Sequence, residues 1–317
     1  MPIPTRQAAS LRVAALTGVT MVAFAANSLL CRGALAVEEL DPWSFTGLRI
    51  LAGAAVLLLL TRGGAGASGG VDVETRSSGA SPNDVTPPRA IDSQRGNLRG
   101  AAALLVYAVG FSVAYRTLDA GAGALILFGT VQLSMLAAAW IEGERPTPRV
   151  LVGLTLAIAG MVTLLWPAAN APDPVGAALM AVAGVGWGGY SLLGRGLARP
   201  LHAAAGTFSR AAPWAMMCWA IALGVGLAST PDTWTPRAVL LALTSGGLAS
   251  GLGYALWYRT LRELTTTSAA VAQLSVPGIA MLGGVWLLGE PLSIQSVLAT
   301  LVTLSGIGLA TTRRVRA

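Results

Sequence analysis

Polar groups set inside apolar runs are where this chain could do chemistry, because each must find a partner where water is scarce. Asn27, Gln132 and Gln273 are carboxamides embedded in such runs. A carboxamide both donates and accepts hydrogen bonds, which suits a neutral or zwitterionic polar solute; the same groups also serve as glue between helices. The segment Gly184-Val185-Gly186-Trp187-Gly188-Gly189-Tyr190 sets two rings among four glycines. Trp187 and Tyr190 offer an aromatic wall for apolar or cationic solutes, a cation over a Trp face gaining about 0.5–2 kcal/mol. Tight helix packing accounts for the glycines equally well. Tyr254 and Trp257 read as packing or interfacial residues. These five residues (Asn27, Gln132, Trp187, Tyr190 and Gln273) are the candidate solute-binding set.

Catalytic chemistry is poorly supplied. His202 is the single histidine, and the 14 acidic residues all fall in loops or at the ends of apolar runs. No general base has a clear partner. No metal-ligand spacing occurs, and Cys31 and Cys218 lie in different apolar segments. No catalytic residue, metal or cofactor is therefore expected. The absence of a mid-run carboxylate also argues against coupling through a buried acid of raised pKa. Facilitated movement down a gradient, or coupling through some other group, is the expectation.

The elements that position these residues are membrane spans. The chain is 54% hydrophobic and 11% charged, against about 25% charged in soluble domains. At roughly 20 apolar residues per crossing, spans are predicted near 11–31, 43–61, 98–115, 119–140, 150–166, 175–195, 206–228, 238–257, 267–288 and 292–312. The first follows Arg6 and Arg12 without a cleavage pattern and is read as a span, not a signal peptide. Residues 63–97, rich in Gly, Ser, Pro and Asp, read as a disordered cytoplasmic loop. All 21 basic residues are Arg, and they gather at span ends, which disfavours a nucleic-acid partner. With the N-terminus in the cytoplasm, 16 of them fall on the cytoplasmic side, three outside and two within spans. Both termini are then cytoplasmic.

The halves repeat. Ser28-Leu29-Leu30-Cys31-Arg32-Gly33 returns as Ser191-Leu192-Leu193-Gly194-Arg195-Gly196, Tyr115-Arg116-Thr117-Leu118 as Tyr258-Arg259-Thr260-Leu261, and Gln132-Leu133-Ser134 as Gln273-Leu274-Ser275. Asn27 has Tyr190 as its counterpart. Five spans per copy is an odd number, so the copies should be inverted, with a chamber near the bilayer midplane. The expected fold is an all-α membrane protein of ten transmembrane helices in two inverted five-helix repeats. Its divisions are a cytoplasmic N-terminus (1–10), the first repeat (11–166, interrupted by 63–97), the second repeat (175–312) and a basic tail (313–317). Inversion places Arg49 with Glu290 on the outer face and Arg210 with Glu144 on the inner, as gate or scaffold ion pairs. Pro277 is expected to kink the ninth helix, as a static bend or a hinge.

Two five-span halves, Arg49 and Arg210 early in the second helix of each, and Gly143-Glu144-Arg145-Pro146 and Gly289-Glu290-Pro291 ending the fourth together resemble the EamA-like branch of the drug/metabolite transporter superfamily. The resemblance spans about residues 11–312, apart from 63–97. It implies an inner-membrane permease, often an exporter of amino acids, metabolites or drugs, with a central cavity lined by both halves, acting as a monomer or homodimer. The chain lacks the central glutamate of the superfamily's small multidrug exporters. A membrane-embedded transferase or a non-transporting membrane sensor is the alternative.

Overall fold

The structure, a computed structural model, describes residues 6–67, 97–143, 145, 147–166, 171–194, 197, 199–261, 263–264 and 272–311. Most of the expected disordered loop (68–96), Glu144 and the basic tail 313–317 lie outside the described residues. Among the described residues the chain is helical and contains no strand. Helix α1 (Arg6–Arg32) runs into a π segment (Gly33–Val37), and α2 (Pro42–Ala67), α3 (Leu98–Ala114), α4 (Ala120–Ile141) and α5 (Pro148–Leu165) follow. The second half holds α6 (Pro174–Leu193) and α7 (Pro200–Gly224). One column is then assembled from α8 (Pro236–Thr244), a π segment (Ser245–Leu252) and α9 (Gly253–Leu261), and α10 (Ser275–Leu288) and α11 (Ile294–Thr311) complete the half.

Each expected apolar run falls on one of these columns. Six stretches are long and apolar enough to cross a bilayer, and Leu98–Ala114, Ser275–Leu288 and Ile294–Ala310 are shorter apolar helices. The remaining column, α7, carries His202, Ser209 and Arg210. Large apolar side chains such as Leu59, Val182, Ile221 and Leu298 are exposed on the outside of the bundle, as a lipid-facing surface requires.

Helix starts follow local chemistry. Pro42, Pro148, Pro174, Pro200 and Pro236 each occupy a first helical position, where a missing N–H costs nothing and the fixed φ is already helical. Asn97, Thr147, Asp173 and Thr235 cap their helices by accepting a backbone N–H three residues on. Pro277 follows an interruption in the helix. It lies in the first turn of α10, which begins at Ser275 after a turn at Leu274. Residues 272–273 before that turn are also helical, so the interruption falls one turn ahead of the proline, where its ring and missing N–H act.

The halves meet through close helix pairs, the most extensive being α5 with α11, α3 with α6, and α2 with α7. At the α5–α11 crossing a Cβ added to Gly153 would lie 2.5 Å from the Gly306 carbonyl oxygen, and one on Gly160 would lie 2.6 Å from the Thr303 nitrogen. Contact at that range, backbone against backbone, is what small residues permit between membrane helices. We expect Gly306→Val to cost about 1–3 kcal/mol, typical of overpacking, read by chemical denaturation in detergent. Gly18→Ala, where nothing lies within 4 Å, should be neutral or mildly stabilising. Equal losses from both changes would contradict this packing.

Candidate functional site

A charged group lies in the middle of the bundle. Arg49 is 1% exposed and is the bulkiest of the fully buried side chains. Its Nη2 donates to the Tyr107 hydroxyl at 2.6 Å, and its guanidinium lies 5.0 Å from the Tyr107 ring centroid and 4.8 Å from that of Phe111. The Asn27 amide nitrogen donates to the same hydroxyl at 3.1 Å, and its oxygen accepts from the Ser245 hydroxyl at 2.6 Å. Four elements thus contribute one residue each: α1, α2, α3 and the second π segment. That segment, Ser-Gly-Gly-Leu-Ala-Ser-Gly-Leu, can approach α2 so closely because Gly246 has no side chain. A Cβ there would overlap the Arg49 carbonyl oxygen. The widened helix is a device often found at functional sites.

Aromatic rings extend the network. Trp187 stacks on Tyr254 with ring centroids 5.3 Å apart, and lies 4.9 Å from Tyr107 and 5.2 Å from Tyr190. Tyr254 also meets Phe24 and Phe208 edge to face. Around Trp187 the α6 glycines divide: Gly184 and Gly188 press on α4 and Gly186 on α3, whereas Gly189 has nothing within 4 Å. Packing therefore accounts for three of the four. Tyr190 and Tyr258 line a small surface cleft with Asn97, Gly100, Leu193 and Thr207, at the end of the bundle where α3 begins.

The opposite end is tied shut by side chains. Glu290 accepts the Ala120 N–H at 3.0 and 2.9 Å through its two oxygens, and so caps α4 from another half of the chain. Arg32 joins it, Nε donating to Glu290 at 3.2 Å while Nη1 donates to the carbonyls of Tyr115 and Arg116 at 3.1 and 2.9 Å. Gly289, at φ 69°, turns the chain so that Glu290 can fold back. Burial pushes the Glu290 carboxyl above its ordinary value; the Ala120 N–H and Arg32 pull it down and Asp119 pushes it up. Ionising Glu290 therefore costs more in the folded chain than in the unfolded one, and this weakens stability as pH rises through the raised pKa, offsetting part of what the cap and the Arg32 contact contribute. Asp41 forms a second tie. One oxygen accepts from the Trp43 and Ser44 nitrogens at 3.0 and 2.9 Å, the other from the Ser229 nitrogen and hydroxyl at 3.0 and 2.6 Å.

Several expected assignments change. Arg49 does not pair with Glu290; it is inside, on Tyr107, and Arg32 at the end of α1 takes the carboxylate. The Arg210 guanidinium donates to its own-helix Gly206 carbonyl at 3.4 Å, and its expected partner Glu144 lies outside the described residues. Of the five expected binding residues, Asn27, Trp187 and Tyr190 share one connected cluster. Gln132 and Gln273 are half-buried on α4 and just before α10, and no hydrogen bond joins them to it among the described residues. Tyr107 and Ser245 were missed and Tyr254 was given to packing. A hydroxyl in each of three apolar runs was the available signal.

The sequence profile of the EamA-like transporter family matches residues 174–312. The chain is 45% identical over 305 residues to an uncharacterised protein of Pseudomonas aeruginosa, covering 94% of each. It is 27% identical over 215 residues to an uncharacterised transporter of Archaeoglobus fulgidus, covering 66% of this chain and 73% of that one. An uncharacterised transporter of Bacillus subtilis is 28% identical over 201 residues, covering 62% and 63%. One crystal structure superposes with a TM-score of 0.60 over 95% of this chain and 97% of its own, at 20% identity, a likeness of fold alone.

The ties make separate predictions. Burial raises the Asp41 pKa, but the bonds from Ser229 and Ser44 outweigh it and hold the carboxyl below its ordinary value. Stability from Asp41 is therefore present above the ordinary aspartate pKa and lost as pH falls through the lowered one. Asp41→Asn should lower stability at neutral pH and flatten its acid limb, measured as melting temperature against pH. An unchanged acid limb would remove Asp41 from that role. Glu290→Ala should cost about 1–2 kcal/mol, the range of a lost helix cap, with Glu290→Gln, which keeps an acceptor, between the two. Equal effects of Ala and Gln would show that capping contributes little.

Proposed function

As a member of the EamA-like transporter family, this chain is a multi-pass membrane transporter, and we propose that it carries a small solute across the cytoplasmic membrane by alternating access, in the outward direction. The observation that carries this reading is the buried polar and aromatic cluster on Arg49, Tyr107, Asn27, Ser245 and Trp187, built from both halves of the chain. Polar groups at that depth are costly unless they serve a pathway. The Glu290–Arg32 tie supports a carrier closed at that end. In this reading the tie is the outer gate, and the glutamines Gln132 and Gln273 flank the route.

Ten crossings in two inverted halves remain the favoured architecture. Its support lies in matched packing across the halves. The contact of α3 with α6 has its counterpart in α1 with the π segment and α9, and that of α4 with α6 has one in α10 with α1. The pairs α2–α7, α4–α10 and α5–α11 each join equivalent helices, as a two-fold relation between copies demands. The arginine bias supports cytoplasmic termini, and Pro277, at the start of α10, is a candidate hinge between that helix and its preceding segment.

Counterflow is the test. Purified chain in liposomes should exchange internal unlabelled solute for external label, using whichever solute in a panel of amino acids, nucleosides, carboxylates, polyamines and lipophilic cations gives the largest thermal shift. A sensor or a transferase gives no such exchange. The exchange should need no pH gradient, since no acid lies deep in a span. Reporter fusions at residue 171 and at the C-terminus should report opposite faces; the same face for both would end the inverted arrangement.

A further inference from the structure

Arg49 has more donors than partners. A guanidinium presents five N–H groups and cannot be neutralised by losing a proton. Here Nη2 reaches Tyr107, while Nε and Nη1 are buried without any hydrogen-bond partner. Among the described residues no carboxylate lies within ion-pair range of Arg49. Its site lies seven residues beyond Pro42, about 10 Å along α2 at 1.5 Å per residue. An uncompensated charge at such a place costs several kcal/mol, and two aromatic faces return about 2 kcal/mol or less each.

The groups that touch it offer little further acceptance. The Tyr107 hydroxyl already receives hydrogen bonds from Arg49 and from Asn27, so what it has left to offer is its own proton. Ser245 spends its proton on the Asn27 oxygen and keeps acceptor lone pairs, but two guanidinium nitrogens of Arg49 still have no partner. Donors in excess therefore surround one fixed positive charge. The complement of such a site is an oxyanion, for which arginine is especially suited. Rings join it to the cleft: Tyr190 at the cleft wall touches Trp187, and Trp187 touches Tyr107.

We infer that Arg49, with the Tyr107 hydroxyl beside it, is the receptor for the negatively charged group of the transported solute, an organic carboxylate or similar oxyanion whose apolar body lies along Trp187 and Tyr254. This deepens the permease reading and rests on it. It also narrows the solute class: lipophilic cations and polyamines are excluded by the same charge. In the unliganded state Arg49 is parked on the Tyr107 and Phe111 rings, and the arriving anion takes over its open N–H groups.

The experiment compares phenylacetate, succinate and neutral phenylacetamide on the purified full chain, by thermal shift and by isothermal titration, with sulfate as an inorganic control. At least one carboxylate should bind, and phenylacetamide should bind at least about tenfold more weakly than phenylacetate, the loss expected for one charged hydrogen bond. Arg49→Gln should abolish that difference by weakening phenylacetate at least about tenfold, with a smaller change in phenylacetamide. Where Arg49→Gln does not fold, Arg49→Lys carries the test, with phenylacetate weakened more than the amide. The inference is overturned if no carboxylate binds, if the amide binds as well as the acid, or if the Arg49 variants keep full preference for the acid. Sulfate binding as tightly as any carboxylate would assign the site to a free inorganic anion and overturn the solute assignment. Counterflow separates the two levels: exchange of neutral solutes without carboxylates removes the anion site and keeps the permease, whereas no exchange with any solute removes the permease itself.

Discussion

A permanent positive charge held inside an apolar bundle is the constraint to which the rest of this molecule answers. Arg49 can neither lose its proton nor reach bulk water, so the chain must surround it with rings and hydroxyls from several helices. Tyr107, Phe111 and the Asn27–Ser245 pair do this. Those residues come from α1, α2, α3 and the π segment of the second half, so satisfying one side chain requires that the halves be assembled. The polar centre is a product of tertiary structure, and no single helix could maintain it.

Bringing four backbones to one side chain is a problem of space. Lipid supplies little force to press helices together, and the answer here is the removal of side chains where helices cross. Gly246 lies against the backbone of Arg49, and Gly153, Gly160 and Gly306 do the same between α5 and α11. At one end Glu290, Arg32 and Asp41 bind helix termini that would otherwise have open N–H and C=O groups. Interior and rim thus obey different rules: close packing within, capping at the edge.

Much of this could be read from residues. Continuous apolar runs of span length marked the helices. Asn27, Trp187 and Tyr190 were visible as polar or aromatic groups in unusual company. The partner of Arg49 was not visible, because pairing by opposite charge pointed to Glu290 and the actual acceptor is a tyrosine hydroxyl 58 positions away. Glu290 was legible as a helix end but not as the cap of α4, a contact across 170 positions that depends on how α10 docks. The π segment was hidden for another reason: a glycine-rich stretch has the same composition whether its helix is regular or widened.

The widened stretch between α8 and α9 fixes an azimuth. An α-helix advances about 100° per residue, so any surplus residue absorbed by Ser245–Leu252 rotates everything downstream around the column axis. Ser245 faces Asn27 at one end of the stretch, and Tyr254 faces Trp187 just beyond the other. Loss of a single codon within the stretch would let it relax to ordinary pitch and would swing these two contacts out of phase. The eighth column is therefore a place where length matters as much as residue identity: Gly246 cannot gain a side chain against Arg49, and an insertion or deletion would move both contacts out of phase.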